Sequence, residues 1–174
     1  MRSGPVILNN TPLVALWLLN RFDLLRELYS SVLIPQAVKS EFLAIEEERR
    51  RSSLTAAYWI EPASLSKPVY THAFSGLDQG EAEVLALALE TSARVVVMDE
   101  RKGRAYAHRL GLPVTGTLGV LLAAKTRGFV SQIAPLIAEL LANQFYLHPS
   151  LVSQTLRTAG EAEEDDPESR LAEH

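Results

Sequence analysis

Short apolar runs alternate with amphipathic stretches along most of the chain, and each switch predicts a change of element. Val6-Ile7-Leu8 is a β-branched run that stops at Asn9-Asn10-Thr11-Pro12. A strand followed by a helix start fits it, with Asn10 or Thr11 as N-cap and Pro12 in the first turn. Leu13, Leu16 and Trp17 continue at helical spacing, and Phe22, Leu24, Leu25 and Leu28 predict a second helical piece. Val32-Leu33-Ile34 before Pro35 reads as another strand. From Gln36 the pattern predicts one long helix through Val38, Phe42 and Ile45 into the charged run Glu46–Arg51. Tyr58-Trp59-Ile60 reads as a third strand closed by Glu61-Pro62. Ala63–Gly80, rich in Ser, Pro and Gly, reads as a loop.

The second half repeats the alternation. Glu81–Thr91 predicts a helix with Val84, Leu85, Ala88 and Leu89 on one face. Val95–Met98 is an unbroken apolar run ending at Asp99, which points to a parallel strand buried on both faces. A helix over Lys102–Leu110 stops at Gly111, Leu112-Pro113-Val114 forms a short strand, and a helix over Thr117–Arg127 ends at Gly128. Val130–Asn143 and Pro149–Arg157 predict two final helices. So many strand–helix alternations imply an α/β fold of three layers, with a central, mainly parallel sheet flanked by helices.

Composition refines this picture. The chain has 174 residues, enough for one core, and carries a formal charge of −4. Residues 161–174 hold seven acids and one arginine, so residues 1–160 have a net charge of +2. The reading is a single domain over 1–160 and an acidic, disordered tail over 161–174. Cysteine is absent, which removes disulfides, thiol catalysis and Cys-based zinc sites. The longest apolar run near the start, Leu13–Leu19, is shorter than the ~20 residues that span a bilayer. The expectation is a cytoplasmic protein with no membrane partner.

Ligands of open parallel sheets bind beyond the carboxyl ends of the strands. The residues just after predicted strands are Asn9-Asn10-Thr11, Asp99-Glu100 and Thr115-Gly116-Thr117, while Glu41 and Glu81 lie on helices that can flank the same edge. Acids and an amide without His or Cys form a hard-cation pattern, suited to Mg²⁺ or Mn²⁺. A plainer alternative is helix-end chemistry: acids in a first turn complement the dipole, which accounts for Glu81 and Glu83, and Asp99 can cap the next helix. Arg101, Lys102, Arg104 and Arg109 form the densest basic stretch, suited to RNA phosphates or simply to a solvated face. Glu46–Glu48 before Arg49–Arg51 predicts i,i+3 ion pairs on a solvated helix. His72, His108, His148 and His174 lack metal-ligand spacing, and Trp17 and Trp59 read as core or interface aromatics. No Gly-rich phosphate loop follows the first strand, which leaves dinucleotide binding without support.

The segment Val6–Leu13, VILNNTPL, resembles the opening of PIN-domain proteins of the toxin-like DUF3368 group, which usually reads hydrophobic-Ser-Asp-Thr-Ser-Pro-Leu. The resemblance continues through Leu24–Leu28, Val32–Val38, Gly80–Glu83, Met98–Arg101 and Leu110–Gly119, in order, and covers roughly residues 5–160. It implies a PIN-like fold and a metal-dependent endoribonuclease that hydrolyses RNA phosphodiesters with Mg²⁺ or Mn²⁺. It also implies the toxin half of a toxin–antitoxin pair, restrained by a small antitoxin protein and assembled as a homodimer. Carried over by position, the catalytic and metal-binding residues are Asn9, Glu41, Glu81 and Asp99, supported by Thr11, Glu100 and Thr117. RNA would meet Arg101, Lys102 and Arg104. The departure is Asn9, where the family usually has Asp. Asn keeps a carbonyl oxygen for a hard cation but removes one negative charge. That leaves a second reading, a catalytically weakened PIN module that binds RNA or a protein partner.

Overall fold

The computed structural model describes residues 3–162. Its strands are β1 (Val6–Leu8), β2 (Val32–Pro35), β3 (Ile60–Ala63), β4 (Val95–Val97) and β5 (Val114–Thr115), joined in one all-parallel sheet of order β3-β2-β1-β4-β5. Helices α1 (Asn10–Leu18) and α2 (Asp23–Tyr29) connect β1 to β2, and α3 (Gln36–Leu43) and α4 (Glu47–Ala56) connect β2 to β3. A 3-10 turn at Pro68–Ala73 and α5 (Gln79–Glu90) precede β4, and α6 (Arg101–Arg109) precedes β5. Three helices finish the described chain: α7 (Thr117–Thr126), α8 (Ala134–Ala142) and α9 (Pro149–Thr158). This is the expected three-layer α/β architecture.

Strand β1, at the centre of the sheet, is buried throughout because the sheet is covered on both faces, which is why it needs an unbroken Val-Ile-Leu. Helix α5 packs across β1, β2 and β4, while α2 lies against β2 and α7, and α9 covers α7. Five consecutive residues of α5, Val84–Ala88, are buried, so this helix is enclosed almost all round rather than on one stripe. Leu89, expected on its buried face, is instead 40% exposed.

Several expected boundaries move, each for a local reason. The long helix from Gln36 is two helices: the chain reverses at Glu46, whose φ is 49°, and Ile45 is left exposed. The reversal returns Arg50 to the end of α3, where it donates to the Phe42 carbonyl at 2.9 Å and stacks on Trp17. Arg50 is therefore buried; of the expected i,i+3 surface pairs only Glu46–Arg49 forms, and Glu47 pairs with Arg51 at i,i+4 instead. The third strand starts at Ile60, with Tyr58 and Trp59 in the preceding turn and Pro62 inside β3, an edge strand that tolerates a missing donor. The loop over Ala63–Gly80 contains the 3-10 turn and the first residues of α5. Helix α8 begins at Ala134 rather than Val130, where Glu161 accepts the N–H groups of Ile133 and Ala134. Glu161, assigned by sequence to the acidic tail, is thus tied to the body. The rest of that expected tail, from residue 163 on, lies outside the described residues.

Candidate active site

Strands β1 and β4 are neighbours, yet the chain leaves β1 for β2 on one side and returns to β4 on the other. A parallel sheet opens a crevice at such a reversal, beyond the strand ends. The register Leu8↔Val97 brings Asn9 to the level of Met98, and the Asn9 N–H donates to the Val97 carbonyl at 2.9 Å. The three residues after β4 therefore bring Asp99 and Glu100 next to the start of α1.

Each expected site residue has a definite position. Asn9, 3% exposed, occupies the N-cap of α1, a place expected for Asn10 or Thr11. Its side chain does not cap the helix. Instead Asn9 Nδ2 donates to Glu100 Oε2 at 2.9 Å, and the Thr11 hydroxyl donates to the other Glu100 oxygen. Asp99 bridges to α7 rather than capping α6: its Oδ1 accepts the Thr117 N–H at 2.8 Å and its Oδ2 accepts the Thr117 hydroxyl at 2.6 Å. Gly116 permits this, since a Cβ there would fall 2.5 Å from Asp99 Oδ1. Glu41, on α3, lies against α5, where a Cβ on Gly80 would meet its Oε2 at 3.0 Å. Glu81 forms a capping box with Asp78 at the start of α5. The helix-end reading of Glu81 is therefore correct as far as it goes.

The acids feel one another. Burial is the largest cause holding Glu41 above the ordinary carboxylate range, with the Asp78 and Glu100 charges adding to it and Asn10 opposing. Glu81 is raised by burial and by Asp78, Glu100 and Glu41, against a hydrogen bond from the Asp78 N–H. Asp99 is raised by burial and by Glu100, against the two Thr117 bonds and the charge of Arg104. Glu100 adds like charge to all three, and Asp78 adds more to Glu41 and Glu81. Asp78 escaped the sequence reading altogether, although its spacing to Glu81 is a legible capping signal. Among the described residues, none of the ion pairs involves Glu41, Asp78, Glu81, Asp99 or Glu100.

The basic residues divide. Arg101 and Lys102 are exposed at the start of α6, whereas Arg104 is partly buried and donates to the Met98 carbonyl at 2.9 Å. Arg104 is thus committed to the strand end beside Asp99.

The residues fit a hydrated hard cation. The donor set is all oxygen, it is crowded with like charge, and the buried Asn10 Oδ1 beside it has no partner. Among the described residues, no three His, Cys, Asp or Glu side chains stand together as a group that could hold a metal ion. Mg²⁺ asks for less, because it is usually bound through one or two carboxylates and keeps several waters.

An all-parallel sheet flanked by helices, with acids near the reversal between its central strands, is consistent with a three-layer PIN-like α/β fold. The family model for the PIN domain DUF3368 matches residues 5–161, and the chain belongs to that family. A comparison with curated proteins found no match. Among the described residues, no helix is long and apolar enough to cross a membrane.

Proposed function

We propose that this chain is a Mg²⁺- or Mn²⁺-dependent endoribonuclease whose hydrated cation takes one or two direct ligands from among Glu41, Glu81, Asp99 and Glu100. The observation that carries the reading is the crowding of these carboxylates around Glu100 with no ion pair to any of them among the described residues. A bound divalent cation would polarise the phosphodiester and activate water for its hydrolysis. The protein's own part is to fix the oxygens in advance. Asn9 and Thr11 orient Glu100, Thr117 orients Asp99, and Arg104 braces the strand end below them. Arg101 and Lys102 present exposed cations to an incoming phosphate backbone. The toxin role, the small antitoxin protein, the homodimer and the cytoplasmic location are proposed on the family resemblance.

One observation favours a second reading. Asn9 spends its amide on Glu100, a bond that an aspartate could not donate, so part of the cluster is satisfied without a cation. In that case the chain is a catalytically weakened PIN module that binds RNA or a protein. Incubating a structured RNA with wild type and Asp99→Asn, each with Mn²⁺ or EDTA, separates the readings. The nuclease predicts Mn²⁺-dependent internal cleavage that drops at least ~100-fold in Asp99→Asn. RNA binding without cleavage in any condition overturns it in favour of the weakened module.

A further inference from the structure

A groove of about 830 Å³ opens beside Asp99 and leads away from the acid cluster. Along α6 it is lined by Arg101, Arg104 and His108, which follow one another at i, i+3 and i+7 and so share one stripe of the helix. The start of α7 adds a low side, because Gly116 and Gly119 offer no side chains there. A Cβ at Gly119 would come within 2.1 Å of Thr115 Oγ1, so this side is held low by necessity. Opposite chemistry comes from the segment before α9 and from α9 itself. Tyr146 and Leu151 line the same groove and are nevertheless 79% and 53% exposed.

A large aromatic ring left in water and the guanidinium groups of Arg101 and Arg104 line the one groove, which makes its surface asymmetric. It matches a ligand with a charged edge and a flat apolar face. Single-stranded nucleic acid has that form: phosphates follow cationic side chains while bases stack on aromatic rings. A duplex does not, because its base faces are covered. Arg104 already gives one nitrogen to the Met98 carbonyl, so Arg101 and His108 are the freer donors of the stripe. The groove also begins at Asp99, where the proposed reaction needs the sugar-phosphate backbone.

We propose that this groove is a nucleotide subsite for single-stranded RNA, with a base stacked on Tyr146 and its phosphates along Arg101 and His108. The proposal rests on the nuclease reading for its substrate, and what it adds is Tyr146 as a base-stacking residue beside the cut. No residue of the acid cluster is needed for the binding it describes.

Binding is best read without cleavage, by fluorescence anisotropy of an end-labelled single-stranded RNA of about 10 nucleotides in EDTA. Tyr146→Ala is expected to weaken binding about tenfold, the loss of one stacked base. Tyr146→Phe should keep wild-type affinity, since the ring and not the hydroxyl makes the contact. Duplex RNA should bind wild type and Tyr146→Ala equally. Unfolding temperatures of both variants should match wild type, as the side chain is exposed. Equal single-strand affinity of Tyr146→Ala and wild type would overturn the subsite and leave that wall to a protein contact. A Tyr146→Phe variant as weak as Tyr146→Ala would also overturn it. If Mn²⁺-dependent cleavage persists while Tyr146 proves irrelevant, only the subsite falls. Should binding depend on Tyr146 while no cleavage occurs, only the nuclease falls.

Discussion

Glu161 and Asp99 are carboxylates drawn partly out of water in the same fold, and their surroundings push them in opposite directions. Burial works against the charge of Glu161, but the N–H groups of Ile133 and Ala134 and the Lys125 ammonium, 2.8 Å away, outweigh it and hold the group below its ordinary range. Asp99 receives two bonds from Thr117, yet burial and the Glu100 charge still leave it raised. Glu41 and Glu81 share its condition. The difference separates a carboxylate that closes the fold from carboxylates that take part in none of the ion pairs among the described residues. Glu161 ties the chain's last described turn to the start of α8, where the helix dipole favours an anion.

The contrast breaks most sharply at Glu161. Glu161→Ala removes an ion pair and the acceptor of two backbone N–H groups at once, leaving Lys125 and the α8 terminus unpartnered. The expected cost is about 3 kcal/mol. At ~2–4 °C per kcal/mol for a chain of this size, thermal unfolding should shift down by roughly 6–12 °C. The pH dependence has a definite sign. The lowered group stabilises the fold above the ordinary carboxylate value and loses that contribution as pH falls through its lowered pKa. The variant should therefore lose the acid-side decline that wild type shows below about pH 4.5. A shift under about 1 °C would mean that the bonds around Glu161 are cosmetic.

The acid cluster should respond with the opposite sign. Its raised groups bind protons more tightly in the fold, so in EDTA they reduce stability as pH rises from the ordinary carboxylate values through their raised ones. Asn9→Asp sharpens this by exchanging a donor to Glu100 for a buried like charge. Without metal the variant should lose about 2 kcal/mol, or roughly 4–8 °C. Mn²⁺ should then raise its unfolding temperature more than it raises that of wild type, because a ligand that binds only the fold stabilises it by mass action. Cleavage should rise in parallel. Equal Mn²⁺ shifts in the two proteins would remove Asn9 from the metal's surroundings.

How much of this was legible beforehand depends on the range of the forces involved. The strands β1, β2 and β4 could be read because burial on both faces demands unbroken Val, Ile and Leu. Asn9, Glu41, Glu81 and Asp99 could be gathered because strand ends and a family-like order of motifs put them on one edge. The bonds that fix Glu100 could not be read, because they come from Asn9 and Thr11 reaching across from another strand end. Gly116 was passed over for the same reason: its need to lack a Cβ arises only once Asp99 lies beside it. The break at Glu46 was hidden because Val38, Phe42 and Ile45 keep helical spacing up to the reversal, and only the tertiary contacts of Arg50 reward the turn. Glu161 was misjudged through its company, a lone anchored acid at the head of an acidic run.

The smallest expected effect belongs to the acids that stand out most in the sequence. Glu46 and Glu47 pair with Arg49 and Arg51 at 2.6 Å each, but on an exposed surface, where the side chains remain 42–74% accessible. Such pairs contribute little because water already solvates both charges and ordering two long side chains costs entropy. Glu46→Gln and Glu47→Gln should each change stability by less than about 0.5 kcal/mol, and any effect should vanish in high salt. Glu46 carries a second variable, its left-handed backbone at φ 49°, which Gln does not relieve, so the paired Glu46→Gly comparison isolates backbone from charge. Glycine adopts that conformation freely, and a gain for Glu46→Gly with no change for Glu46→Gln would locate the strain in the turn that returns Arg50 to Phe42. A loss of more than 1 kcal/mol in Glu46→Gln would instead make the surface pair part of what holds α4 in place.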